Sequence, residues 1–245
     1  MKVSIITAVY NNHSMVAKAI ESVLAQKNIK IEYIVIDGQS TDGTLEIIES
    51  YRDKIDVLVS GRDGGIYQAL NKGLSLATGD YVGFLHSDDF FANDHVLEKL
   101  FKNISGQEAA VYGDLDYVLK NNVHKVVRHW KSMRFTPKLL KMGWMPPHPA
   151  LYVRRDIFNS LAGFDPQYKI AADYHFILRL FREQKHVFSY VPGVVVKMRT
   201  GGASNNSIGN VYKKFNEQRR ILNSLGMGGG VVVLRKMLNK LHQFV

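Results

Sequence analysis

Apolar residues cluster in short β-branched runs at positions 2–7, 31–37 and 57–60, each followed by turn residues and then by a stretch of helical spacing. Strands alternating with helices predict a parallel sheet whose ligand lies beyond the carboxyl ends of the strands. A first helix is predicted over residues 14–26, with Met15, Val16, Ala19, Ile20, Val23 and Leu24 on one face and Ser14 as N-cap. Further helices are predicted over 44–51, over 66–77 behind Gly64-Gly65, and from Asn93 to about residue 104. Between the last two, an apolar strand ends in His86-Ser87-Asp88-Asp89. Residues 110–118 and 123–130 alternate as a hairpin around Asn121-Asn122. Residues 142–149 carry three prolines and a tryptophan, and suit neither regular structure. A strand over 150–154, a helix over 173–184, one or two strands over 187–198 broken at Pro192-Gly193, and an amphipathic helix over 211–225 follow. Gly228-Gly229-Gly230 then reads as a hinge before a last helix over 231–245.

Composition changes this picture in two ways. With 245 residues and 46% hydrophobic content, the chain fits one α/β domain over 1–226, in halves 1–116 and 117–226, with 227–245 as an appendage. It has no cysteine, which excludes a disulfide framework and a thiolate metal site and suits a reducing cytoplasm. The first apolar stretch runs into Asn11-Asn12 without a small-residue cleavage site, so a strand is expected there rather than a signal peptide. No run approaches the ~20 apolar residues that span a bilayer.

Charge is unevenly placed. Residues 1–116 hold 10 Lys/Arg against 17 Asp/Glu, and residues 117–245 hold 22 against 5. A basic half of this kind is expected to face something anionic.

The chemistry centres on acids at element ends. Adjacent carboxylates repel, so Asp88-Asp89 after a strand points to a cation or to hydrogen bonds that hold them. Asp37 ends another strand. No G-x-G-x-x-G follows the first strand and no G-x-x-x-x-G-K-[ST] occurs, which disfavours dinucleotide oxidoreductases and P-loop NTPases. Without a Gly-rich cradle, a diphosphate needs a divalent cation held by carboxylates.

Four ordered segments carry a resemblance: Ser4-Ile5-Ile6-Thr7-Ala8-Val9-Tyr10-Asn11, the run from Tyr33 through Asp37-Gly38-Gln39-Ser40-Thr41-Asp42-Gly43-Thr44, Asp63-Gly64-Gly65 through Asn71-Lys72-Gly73 with Thr78-Gly79-Asp80, and His86-Ser87-Asp88-Asp89. Together they resemble the family-two glycosyltransferases of GT-A fold over about residues 2–204. The resemblance implies an α/β GT-A fold with a mixed central sheet, and a donor site for a nucleoside diphosphate sugar bounded by Thr7, Tyr10, Asp37, Asp63, Asn71, Lys72, Asp88 and Arg199. Asp88 and Asp89 would share the ribose or sugar and a Mg²⁺ or Mn²⁺ ion. Gly163-Phe164-Asp165 followed by Ala171-Ala172-Asp173-Tyr174 is similar to the segment that ends in a Glu-Asp pair at a helix start, which makes Asp173 the expected catalytic base and puts Ala172 in place of the Glu. Trp144, His148 and Tyr174 are expected to line the acceptor side. His86 stands where many relatives have an acid, and a second Asp-X-Asp, Asp114-Leu115-Asp116, is placed by alternation on one strand face, beside the donor sugar.

The expected activity is inverting transfer of a sugar, UDP-linked, to an acceptor hydroxyl on a polyprenyl-diphosphate-linked glycan, as in the synthesis of bacterial O-antigens and exopolysaccharides. Localisation is expected at the inner face of the cytoplasmic membrane. Val231, Leu234, Met237, Leu238, Leu241 and Val245 fall on one side of a helical wheel, with Arg235, Lys236 and Lys240 elsewhere, the pattern of a helix at an anionic membrane surface. One rival is a sugar-phosphate nucleotidyltransferase, which needs a Gly-rich basic loop that residues 7–12 lack. The other is a non-enzymatic binder of nucleic acid or membrane, which has no use for Asp37, Asp88, Asp89 and Asp173; no nucleic-acid partner is expected.

Overall fold

The strands at the centre of the molecule are apolar on both faces. In the computed structural model, which describes residues 1–183, 185–201 and 208–239, β1 (Lys2–Val9) is buried from Val3 onward, the pattern of a parallel strand covered on both sides. In chain order the elements are β1, α1 (Val16–Leu24), β2 (Lys30–Asp37), α2 (Thr44–Glu49), β3 (Val57–Ser60), α3 (Ile66–Leu76), β4 (Tyr81–Phe84), β5 (Phe90–Phe91), α4 (Val96–Phe101), β6 (Ala110–Leu119), β7 (Asn122–Trp130), α5 (Pro137–Lys141), β8 (Leu151–Arg154), α6 (Arg155–Ser160), α7 (Ala172–Arg182), β9 (Phe188–Arg199), α8 (Ile208–Ser224) and α9 (Gly229–Asn239).

The sheet order is β3-β2-β1-β4-β8-β6-β9-β5, with β7 paired to β6. β1 pairs in parallel with β2 and β4, and β2 with β3, whereas β8 is antiparallel to both β4 and β6. The sheet is therefore mixed, with the parallel half built from the acidic part of the chain. Alternation along each strand splits the core. Ile6, Ala8, Ile34 and Ile36 pack with α3 and α7, and Val3, Ile5, Tyr33 and Val35 pack with α1 and α4. On the first face α3 sits very close to β1. A Cβ on Gly73 would lie 2.5 Å from Ile6 Cγ2, a distance that admits only glycine there.

Several expectations change. The first helix starts at Val16 with Met15 as N-cap and no side-chain capping bond, so Ser14 is not its cap. The fourth helix is limited to α4. Of the one or two strands expected over 187–198, β9 forms one that runs through Pro192-Gly193, with register shifts opposite it on β6 between Tyr112 and Asp114 and between Asp114 and Leu115. The short helices α5 and α6 were not predicted from the pattern.

The largest change is at the C-terminus. The glycines are no free hinge, since α9 begins at Gly229 and packs on α8 and the core. Val232 and Val233 are buried at 6% and 1% exposure, while Val231 is 62% exposed. Leu241 and Val245 lie outside the described residues. Among the described residues no helix is long and apolar enough to cross a membrane.

Candidate active site

A cavity of about 1320 Å³ opens beyond the carboxyl ends of β1, β2 and β4, where a parallel sheet leaves room for a ligand. Tyr10, Asp63, Asp88, His86, His148, Asp173, Tyr174 and Arg199 all line it. Eight side chains distant in sequence thus converge because their strands and helices end at one rim. The volume exceeds that of typical small-molecule pockets, ~300–1,000 Å³, and suits two substrates side by side.

Four expected donor residues are held elsewhere. Thr7 is fully buried in the sheet and accepts a hydrogen bond from the Tyr33 hydroxyl at 3.2 Å. Asp37 is fully buried and closes its own turn. Its Oδ2 accepts from Gln39 N (3.1 Å), Ser40 N (3.2 Å) and Ser60 Oγ (2.6 Å). The cavity wall at this corner is formed instead by Gly38, Gln39 and Thr41. Asn71 fastens the loop before α7: its Nδ2 donates to Phe164 O at 2.7 Å and its Oδ1 accepts from Phe164 N at 2.9 Å. Lys72 reaches the site only through its ion pair with Asp63.

The two aspartates divide. Asp88 faces the cavity. Asp89 lies behind it, fully buried, with Oδ1 accepting the Arg199 N–H at 3.1 Å and Oδ2 left without a hydrogen-bond partner. Burial, and then the charge of Asp88, push the Asp89 carboxyl well above the usual carboxylate range. Arg199 bonds the Asp88 carbonyl through its guanidinium, which stacks 4.8 Å over Phe90. An orphaned buried carboxylate oxygen beside a second carboxylate at a cavity wall fits a divalent cation. Among the described residues no cluster of three or more His, Asp or Glu could hold one by itself. A Mg²⁺-like ion bound by one or two carboxylates completes its shell with substrate phosphates and water.

Asp173, also at the cavity, occupies the first turn of α7. Its Oδ1 accepts from the Tyr67 hydroxyl at 3.0 Å, and its Oδ2 lies 3.2 Å from His148 Nδ1. His148 Nε2 in turn lies 2.8 Å from His86 Nε2. Burial alone would raise the Asp173 carboxyl, but His148, Lys214, the Tyr174 N–H and Lys236 hold it below the usual range. Burial pushes His148 down to about 4 against the pull of Asp173. It also lowers His86. The start of α7 is fixed by Glu217 of α8, whose carboxylate accepts from Lys169 N, Ile170 N and Ala171 N, each at 2.9 Å.

Trp144 is not on the acceptor wall. It packs among Tyr112, Phe135 and Phe181 with ring centroids 5.8–6.0 Å away. Asp114 and Asp116 also miss the cavity. Asp114 accepts from Ser132 N (2.7 Å), Tyr190 hydroxyl (2.9 Å) and Gly193 N (3.0 Å), and Asp116 pairs with His129.

The expected set omitted several cavity residues. Lys214 and Gln218 of α8 and Lys236 of α9 line the cavity, and Lys236 Nζ sits 3.5 Å over the Tyr174 ring. Arg128 of β7 lies 4.7 and 5.0 Å from the parallel rings of Tyr117 and Trp130. Hairpin alternation could have placed Tyr117, Arg128 and Trp130 together. Nothing local in the sequence announces Lys214 or Lys236.

Comparison with known proteins agrees with this architecture. Residues 4–162, more than half of the chain, match the family described as "Glycosyl transferase family 2". A "PGL/p-HBAD biosynthesis glycosyltransferase" of Mycobacterium bovis is 27% identical over 95% of this chain and 90% of its own length. An "Uncharacterized glycosyltransferase" of Haemophilus influenzae is 31% identical over 87% of this chain and 86% of its own. Among solved structures, S. aureus TarS 1–349 in complex with UDP-GlcNAc superposes with TM-score 0.70 at 20% identity over 90% of this chain and 65% of that one. The Pyrobaculum calidifontis mannosyltransferase in complex with GDP-Man and Mn²⁺ gives 0.66 at 18% identity over 93% and 64%. The chain thus spans slightly under two thirds of these solved chains, and at such identities they support the GT-A fold alone. By its family match, and with the fold and cavity that accompany it, this chain belongs to glycosyl transferase family 2 and is a glycosyltransferase.

Proposed function

We propose that the protein transfers a sugar, with inversion, from a UDP-sugar to a hydroxyl of a glycan carried on a polyprenyl diphosphate, in the assembly of a bacterial surface polysaccharide. The observation that carries this is the shared cavity. Asp88, with Asp89 buried behind it, and Asp173 at a helix start border one cavity. Inverting transfer needs both functions at one site: charge neutralisation where the diphosphate leaves the anomeric carbon, and a base that draws the proton from the attacking hydroxyl. Tyr10 and the Gly38–Gln39 turn would cover the base, with Asp63 and Arg199 toward ribose and diphosphate. Asp88 and Asp89 would hold Mg²⁺ or Mn²⁺, whose chemistry when bound is to neutralise charge on the leaving diphosphate.

On the acceptor side, Tyr174 and His148 share the wall with Lys169, Lys214 and Lys236. Cations around a base would lower its strength, so their presence favours an acceptor that brings its own negative charge. Support for a membrane-borne acceptor comes from α8 and α9. They pack together and leave Val211, Tyr212 and Val231 exposed at 46%, 67% and 62% within the basic half, a combination of apolar and cationic surface that favours the inner, anionic face of the cytoplasmic membrane.

The test is nucleotide release from a panel of UDP- and GDP-sugars, with and without a short lipid-diphosphate glycan. Acceptor-dependent UDP release supports the reading. Release only from GDP-sugars, or equal rates with a neutral lipid glycoside, would refute the donor or the acceptor assignment respectively.

A further inference from the structure

We infer that Tyr67, on α3, is the positioning residue for the catalytic carboxylate: its hydroxyl holds Asp173 Oδ1 and leaves Oδ2 to receive the acceptor's proton. The inference rests on the glycosyl-transfer reading above, keeps Asp173 as the base, and adds the group that aims it.

α3 grips the segment that leads into α7 at two places. Tyr67 and Asn71 are four residues apart and so lie on one face of the helix. Asn71 holds the near end, its side-chain amide bonded to Phe164 N at 2.9 Å and to Phe164 O at 2.7 Å. The fit is close, since a Cβ on Gly163, whose φ is +63°, would lie 2.7 Å from Asn71 Oδ1. Tyr67 holds the far end. Its ring packs on Phe164 with centroids 5.4 Å apart, and its hydroxyl lies 3.0 Å from both Ile170 O and Asp173 Oδ1. Arg62, Asp63, Gly65 and Ile66, just before Tyr67, line the same cavity as Asp173. The base and part of the cavity wall therefore hang on one helix.

A hydroxyl has one hydrogen, and here two acceptors compete for it. The ionised carboxylate is the stronger acceptor, so the hydrogen is drawn toward Asp173 and shared with Ile170 O in a three-centre bond. Burial, followed by the Asp173 charge, keeps the Tyr67 phenol well above the usual tyrosine range, so the donor persists wherever Asp173 is ionised. Oδ2 is placed differently. It lies 3.2 Å from His148 Nδ1, a proximity without a hydrogen bond, on a side chain that is 19% exposed at the cavity. Tethering one oxygen restricts rotation of the carboxyl plane and presents the other to the attacking hydroxyl.

In the transfer step the hydroxyl proton passes to Asp173 Oδ2 as its oxygen bonds the anomeric carbon. The bond from that carbon to the diphosphate oxygen breaks, and its electron pair leaves with the nucleoside diphosphate. Tyr67 keeps its own proton throughout and still donates to Oδ1, by then the carbonyl oxygen of the acid. The proton on Oδ2 returns to water when products leave.

The charged and titratable groups around Asp173 are Tyr67 on α3, His148 in the turn before β8, His86 after β4, Tyr117 on β6, Lys214 on α8 and Lys236 on α9, with Glu217 of α8 bearing on Tyr67. A hydrogen bond donated to the ionised carboxyl favours that form. Its loss raises the Asp173 pKa and moves the acid limb of kcat to higher pH.

The experiment compares wild type, Tyr67→Phe and Asn71→Ala in the full chain, by steady-state kinetics across pH, UDP titration and thermal melts. Tyr67→Phe keeps the ring on Phe164 and removes only the hydroxyl. It should lower kcat by roughly 10–100-fold, what a hydrogen bond to a charged group contributes, with UDP affinity unchanged. Its acid limb should move up by about one unit. Asn71→Ala loosens the same segment but keeps the Tyr67 hydroxyl, so it should melt lower with the acid limb as in wild type. An ortho-fluorinated tyrosine in place of Tyr67 is a stronger donor and should move the limb to lower pH, which keeps the inference testable if Tyr67→Phe does not fold. An unmoved limb in either folded Tyr67 variant overturns the inference, as does a limb that moves equally in Asn71→Ala. So does a Tyr67→Phe kcat within about 2-fold of wild type. Wild-type protein that turns over no nucleotide sugar overturns the glycosyl-transfer reading instead, and this inference with it.

Discussion

Removing one side chain of α8, Glu217→Ala, should weaken both the fold and the reaction. Its carboxylate accepts three backbone N–H groups, of Lys169, Ile170 and Ala171, at 2.9 Å each. These are donors at the mouth of α7 that no intrahelical carbonyl can serve. Hydrogen bonds to a charged acceptor contribute ~1.5–3 kcal/mol apiece, but Lys169 is exposed and water can replace part of the loss, so about 2–4 kcal/mol is expected in total. For a chain of this size that corresponds to a melting temperature lower by roughly 5–15 °C. Asp173 lies two residues beyond Ala171, so a loosened α7 entry should also lower kcat while leaving UDP affinity intact. Glu217→Gln keeps one carbonyl acceptor and should fall between alanine and wild type. The measurements are thermal melts and steady-state kinetics. A Glu217→Ala protein that melts within about 1 °C of wild type would show that water already serves these donors, and the clamp would be incidental.

Three further outcomes are expected. Asp88→Ala and the isosteric Asp89→Asn should each lower UDP affinity in Mn²⁺ much more than in EDTA, read by isothermal titration; equal losses in both would remove the cation from these residues. Glu32 is a pH probe: burial would raise its carboxyl, but hydrogen bonds from Lys2, Ser4 and Thr78 bring it from 4.5 down to about 2. A depressed folded-state pKa contributes stability above pH 4.5 that is lost as pH falls toward about 2, so urea midpoints should drop over that window and drop less in Glu32→Gln. An unchanged pH profile in the variant would assign the acid limb to other groups. Val231→Glu should reduce sedimentation with phosphatidylglycerol liposomes without changing the melt, and undiminished sedimentation would exclude α9 from the contact.

The parallel half of the fold was legible because its strands are buried on both faces, so the β-branched runs of β1 and β2 stand out from the helices between them. The candidate site was legible where position at an element end suffices: Tyr10 after β1, Asp88 after β4, Asp173 at the start of α7. It failed where two fates are open to the same residue type. Asp37 and Asp88 both follow an apolar strand and precede small or polar residues. Asp37, however, meets the N–H groups of Gln39 and Ser40 and the Ser60 hydroxyl from β3, and it is consumed by its own turn. Whether such donors will be there depends on how the chain turns next and on a strand more than twenty residues away. Trp144 misled for a related reason, since a Pro-rich loop looks like a surface loop until Phe135 and Phe181 close over it.

The C-terminal helices show the limit more sharply. Successive residues on an α-helix are separated by ~100°, so Val231, Val232 and Val233 span more than half the circumference and cannot share one face. A wheel drawn for one apolar stripe must leave some of them out, and the stripe through Val231 left out the two valines that enter the core. Of these three valines, Val232 and Val233 face the domain and Val231 faces outward, while Lys236 lines the cavity with its Nζ over the Tyr174 ring. The basic surplus of this segment has a similar double character. Lys214 and Lys236 stand among the groups that act on Asp173 and His148, so part of the positive charge sits in the cavity beside these two side chains. The matched family segment ends at residue 162, before Asp173, Glu217 and both lysines. These residues lie in the part of the chain where sequence pattern says least, and they meet the first half of the chain where the Tyr67 hydroxyl bonds Asp173 and where His86 meets His148.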